Sequence, residues 1–98
     1  MLGRATLVFL AVLSSGCGSV YYAAEVNSAA SRVEEARAVG AERWAPYEYY
    51  FAREHLREAQ VEASEASYGD AAEYAQIAED FAQRAIDASR AAQRNNEP

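Results

Sequence analysis

From Ala71 to Ala92 the sequence sets a small residue at every third or fourth position: Ala71, Ala75, Ala78, Ala82, Ala85, Ser89 and Ala92. Steps of three and four keep side chains on one side of an α-helix, whereas a strand would need a period of two. The stripe therefore describes a helix whose face lets another backbone come close. Two further stretches share the rhythm. Tyr49, Ala52, Leu56, Ala59, Ala63 and Ala66 form one seam, and Tyr22, Val26, Ala29, Val33 and Ala36 another. A face of this kind has to find a second apolar face. The spacing predicts an all-α fold with helices over about 20–39, 46–67 and 71–94.

The punctuation between the stripes is consistent with this. Gly40 stops the first helix, and a connection containing Trp44 leads to Pro46, which suits a first helical turn because its missing N–H has no intrahelical partner there. Gly69 interrupts the second seam. Asp70 is the expected N-cap of the third helix, with Glu73 completing an acidic capping box. The second and third helices are similar in length, so an antiparallel helical hairpin is expected. The first helix packs over it as a three-helix bundle or, in the alternative, projects as an arm. Alanine buries little area, so bulk must come from Leu56, Ile77, Phe51, Phe81 and the tyrosines. A core this thin makes a homo-oligomer one way to complete the fold.

The first residues carry a different signal. Arg4, the apolar run Ala5–Leu13 and the small residues Ser14, Ser15 and Gly16 precede Cys17. The run is too short for a permanent membrane span and suits a signal peptide. Leu13-Ser14-Ser15-Gly16-Cys17 resembles a bacterial lipobox, with Leu four residues before the cysteine where three is commoner. The resemblance implies cleavage before Cys17, diacylglycerol on its sulfur and an acyl chain, such as palmitate, on the new amino terminus. Several acyl chains anchor far more firmly than one. Gly18, in place of Asp after the cysteine, implies the outer membrane, facing the periplasm. The expected organisation is a signal peptide over 1–16, a lipidated cysteine and tether over 17–19, a helical domain over 20–94 and a tail over 95–98.

Charge and composition narrow the function. Nine Arg, no Lys and fifteen acids give a net charge of −6, and loss of Arg4 with the leader makes the remainder more acidic. No nucleic-acid partner is expected from that sign. One cysteine excludes a disulfide framework or a Cys-rich metal site. Nothing has nucleophile–His–acid, phosphate-loop or metal-ligand spacing, so no enzyme, metal or cofactor is expected. His55 falls among Arg53, Glu54, Arg57 and Glu58, where a solvated helix face accounts for it. Glu54, Glu58 and Glu62, extended by Glu65, read as a soluble acidic ridge. Tyr21 and Tyr22 follow Cys17 closely and suit a membrane interface. Trp44, Tyr47 and Tyr50 cluster at the start of the second helix and are the candidate partner-binding residues, since aromatic area dominates many interfaces.

Ala45-Pro46-Tyr47-Glu48-Tyr49-Tyr50-Phe51-Ala52 with Leu56 and Ala59, then Gly69-Asp70-Ala71-Ala72-Glu73-Tyr74-Ala75 with Ala78, Ala82 and Ala85, resembles a family of small Ala-rich helical bacterial envelope lipoproteins with a domain of unknown function. The resemblance covers about 31–94. Some relatives pair this domain with a peptidoglycan-binding domain of the outer-membrane-protein-A type. The hairpin also weakly resembles a degenerate tetratricopeptide unit. The expectation is a noncatalytic lipoprotein, on the membrane through its lipid anchor, that serves as an adaptor or structural module for an envelope protein complex. The alternatives are a peptidoglycan- or glycan-binding accessory and a pilotin-like assembly factor.

Overall fold

The computed structural model describes residues 21–97, and every element within them is helical. Helix α1 covers 21–38, α2 is the short Ala41–Trp44, α3 is Pro46–Ser64 and α4 is Tyr68–Asn95. No described helix is long and apolar enough to cross a membrane. The leader, the lipobox residues Leu13, Ser14, Ser15 and Gly16, and Cys17 lie outside the described residues.

The three long helices form an up-down-up bundle. On the α3–α4 side, Phe51 meets Phe81 at 4.0 Å between ring centroids, and farther along α3 Ala59 clusters with Ala75 and Ala78. The numbers run in opposite senses, as an antiparallel hairpin requires. On the α1–α4 side they rise together. Tyr22 stacks on Tyr68 at 5.2 Å, Ser28 Oγ donates to Glu79 Oε1 at 2.8 Å, and Arg90 reaches Glu35 at 3.6 Å. Gln93 Nε2 completes the series by donating to the Val39 carbonyl at 2.7 Å. Helix α1 therefore packs along α4, as expected for a three-helix bundle, and does not project as an arm.

The alanine stripes are the core. Ala71, Ala75, Ala78, Ala82, Ala85 and Ser89 of α4 are all buried, as are Ala29, Val33 and Ala36 of α1 and Tyr49, Ala52 and Ala59 of α3. One cluster gathers Val33, Ala36, Ala41, Tyr49, Ala52, Ala82, Ala85 and Ile86, and the other joins Ala29 to Ala59, Ala75 and Ala78. Half-buried Leu56 packs against both. Ile86 is fully buried and lies off the alanine stripe. Its burial contributes about 1.5–3 kcal/mol, more than any alanine can supply. Helix α4 serves two neighbours, and Glu79, Ile86 and Gln93, seven residues apart, make its second stripe toward α1.

The turns depart from the sequence reading. Helix α3 ends at Ser64 and α4 begins at Tyr68, so Gly69 and Asp70 lie inside α4. Ser67 holds the N-cap position and makes no side-chain cap bond. The expected Asp70–Glu73 capping box is therefore absent. The chain reverses at Ala66, whose φ of 61° is left-handed, with Ser67 N–H donating to Glu62 O at 2.9 Å and Ala66 N–H to Ala63 O at 3.0 Å. These bonds are a Schellman closure with alanine where glycine is usual. Ala66 is exposed in this turn and is not part of the packed seam.

At the other end the glycine is where the backbone needs it. Gly40 adopts a φ of 87°, and its carbonyl accepts from the N–H groups of Arg43 and Trp44 at 3.0 Å each. It ends α1 and starts α2 within one residue. The connection containing Trp44 is thus itself one helical turn, and Ala41 is buried beneath it. Ala45 closes the corner before Pro46 opens α3.

Candidate functional site

Exposed large apolar side chains mark two places on the bundle: Tyr47 and Tyr50 near the start of α3, and Tyr21, Val61 and Tyr68 toward the α3–α4 turn. About 21 Å of helix separates Tyr50 from Ser64, at 1.5 Å per residue. The two patches therefore belong to opposite halves of the molecule.

The first patch is a shallow groove of about 440 Å³ lined by Pro46, Tyr47, Tyr50, Phe51, Glu54 and His55. Tyr47, Phe51 and His55 follow at steps of four, so they share one track of α3. Phe51 sits at its centre, stacked on His55 at 4.1 Å and packed on Phe81 of α4 at 4.0 Å. Tyr47 leans on Phe51 at 6.0 Å, and Tyr50 meets the buried Tyr49 edge-on at 5.1 Å. The floor is thus fixed by packing, while Tyr47, 68% exposed, and Tyr50, 47% exposed, stand at the rim. Glu54 supplies the carboxylate of the rim and lies in no ion pair among the described residues. A second hollow of about 310 Å³ shares Glu54 with Arg53, Leu56, Arg57 and Gln60.

Tyr47 and Tyr50 of the expected trio come together here, and Trp44 does not join them. Its indole lies over the α1–α2 corner, close to Gly40, and carries the Arg43 guanidinium 4.9 Å from its ring centre. His55 departs from its expected solvated face. It is half-buried, held by the Phe51 stack and by an Nδ1–H bond to the Phe51 carbonyl at 2.9 Å, with Tyr74 6.0 Å away. The steps of four linking Tyr47, Phe51 and His55 are the signal that could have found this lining. Phe81 on α4 has a similar aromatic role but is covered by Arg84, whose guanidinium lies 4.6 Å from its centre and pairs with Asp80.

Three titrating groups outside the groove are perturbed: Tyr49, Glu34 and Arg37, the last held above its ordinary range by its bond to Glu34. Burial, with the Glu42 carboxylate nearby, pushes the Tyr49 phenol up from its ordinary range. The Arg37 guanidinium, bonded to Glu34, holds that exposed carboxyl below its usual range. No set of three His, Cys, Asp or Glu side chains among the described residues is placed to hold a metal ion. Glu54 and Glu58 are exposed, Glu62 is half-buried and Glu65 lies in the turn, so the acidic ridge does not converge on a point.

The fold and groove define a small alanine-seamed three-helix bundle with an aromatic recess on one flank. Residues 24–98 match the family described as a domain of unknown function, DUF4398, and the chain belongs to that family. The match begins before the 31–94 span of the sequence resemblance and takes in most of α1. No curated protein and no solved structure matches the chain.

Proposed function

We propose that this protein is a noncatalytic envelope lipoprotein that works as a membrane-tethered adaptor, lipidated on Cys17 and facing the periplasm from the outer membrane. The supporting observation is the position of its docking groove. Tyr47, Tyr50 and Glu54 rim a packed aromatic floor in the half of the bundle away from the start of α1. Cys17 lies four residues before Tyr21, so the lipid would hold one end while the groove is presented at the other. Tethering raises the effective concentration of the groove near a second anchored protein, and this supplies the mechanism without any reaction step. The rings contribute area at low entropic cost, and the carboxylate orients the partner.

The test is affinity capture with cross-linking from native membranes, using the wild-type protein, Cys17→Ala and the folded double variant Tyr47→Ala/Tyr50→Ala. The adaptor reading expects a protein partner that is depleted by the double variant and weakened by loss of the lipid. Recovery of murein alone, or a partner captured equally by the double variant, overturns it. The murein result would favour the glycan-binding accessory instead.

A further inference from the structure

We propose that the end of the bundle carrying Tyr21, Tyr22, Val61 and Tyr68 is a foot that rests on a zwitterionic lipid surface. This surface holds the bundle upright with Trp44 and the groove facing away. The inference rests on the lipoprotein reading, which brings this end to a membrane, and adds the contact that orients the domain there.

Three observations support it. Tyr21 is 55% exposed, Val61 41% and Tyr68 39%, although the rest of this half hides its apolar residues well. Tyr22 stacks on Tyr68, which binds the start of α1 to the start of α4 and gathers phenols from both elements at one end. Tyr21 is held on the flank of the same half, its hydroxyl accepting from Gln76 Nε2 at 3.0 Å about two turns along α4 from Tyr68, so the apolar surface extends up the side of the foot. A phenol suits the headgroup layer because the ring is apolar while the hydroxyl stays wet.

The reach of the chain selects the same end. Four Cα steps join Cys17 to Tyr21, and a fully extended chain covers them in at most about 14 Å. That is shorter than the α1 helix itself, about 26 Å over its described length, so a lipid on Cys17 cannot bring the α2 corner down while α1 stands upright. Charge then selects the lipid. No cationic side chain occurs over 21–31 or over 58–83, while Glu25, Glu58, Glu62, Glu65, Asp70 and Glu73 do. Such a surface is repelled by anionic headgroups and accepted by neutral ones.

The single tryptophan makes the orientation measurable, because Trp44 sits at the opposite corner. The full chain, purified from membranes with its lipid, is placed in phosphatidylcholine vesicles whose acyl chains carry bromine near the headgroup. Two single-tryptophan forms are compared, the native protein and Trp44→Phe/Tyr68→Trp, with Trp44→Phe/Tyr21→Trp as a second reporter should the first fail to fold. Position 68 or 21 is expected to lose most of its emission and shift to the blue, Trp44 to be unaffected, and anionic lipid to weaken the quenching.

Vesicle-bound protein whose foot reporters are unquenched, or whose Trp44 is quenched as strongly, overturns the foot while leaving the tether intact. A blue shift without quenching that fades on dilution puts a second copy on this face and also overturns it. A chain that carries no lipid and does not float with the vesicles overturns both the foot and the tether.

Discussion

Exchanging one glycine and one alanine across the α3–α4 turn should strengthen the protein without changing its composition. Ala66 holds the left-handed conformation that closes the turn, at a φ of 61°. An L-residue there costs about 1–2 kcal/mol. Ala66→Gly relieves that cost but frees the unfolded chain by about 0.4–1 kcal/mol, leaving a net gain of about 0.5–1 kcal/mol. Gly69 lies in the first turn of α4, and a Cβ added to it meets nothing within 4 Å. Glycine in a helix interior costs about 0.8–1 kcal/mol against alanine, and a first-turn position realises roughly half. Ala66→Gly/Gly69→Ala should therefore gain about 1–1.5 kcal/mol, or about 4–12 °C in Tm for a domain of this size.

Gly40 provides the opposite sign as an internal control. Its φ is 87°, and a Cβ there would stand 3.2 Å from Trp44 Cδ1. Gly40→Ala should cost about 1–2 kcal/mol. Urea melts followed by circular dichroism read all three variants. If Ala66→Gly destabilises the protein, or Gly40→Ala leaves it unchanged, the assignment of the two turns is refuted.

The remaining predictions concern the core. Ser89 is fully buried and its Oγ has no hydrogen-bond partner, so Ser89→Ala should raise stability by about 1 kcal/mol, and a loss of stability would mean the hydroxyl is satisfied. Ala78 is fully buried between helices, and Ala78→Leu should cost about 1–3 kcal/mol by overpacking; an unchanged melt would show that the helices are not closely apposed there. The Tyr49 phenol is raised, so the folded state keeps its proton where the unfolded state has lost it. Its contribution is fully present below the unfolded pKa near 10 and falls as pH rises through the higher folded value. Tyr49→Phe should flatten that alkaline loss in a melt series from about pH 9 to pH 12, and an unchanged slope would refute the linkage.

The alanine rhythm made α4 legible because every small residue from Ala71 to Ser89 on its stripe is buried, and α1 was legible through Ala29, Val33 and Ala36. The turn was not. Gly69-Asp70 looks like a reversal and a cap, but the chain had already turned at Ala66, where the closing bonds to Glu62 and Ala63 come from backbone groups that no side chain announces. Ile86 was hidden for another reason, since a central helix needs two stripes and only one is written in alanine. Among the candidate site residues, Tyr47 and Tyr50 converge, as their clustering at one helix start suggested. Trp44 separates from them because its indole packs beside Gly40 at the α1–α2 corner and does not line the groove. His55 was obscured by its charged neighbours, although its spacing from Phe51 placed it on the aromatic track.

The roles proposed for the groove and the foot both require a lipid at Cys17 that fixes one end of the bundle. Intact-mass analysis of the protein extracted from its native membranes tests this directly. The predicted mass is that of a chain beginning at Cys17 and carrying a diacylglyceryl group with a further acyl chain on its amino terminus. An unmodified chain that retains Met1 would contradict it.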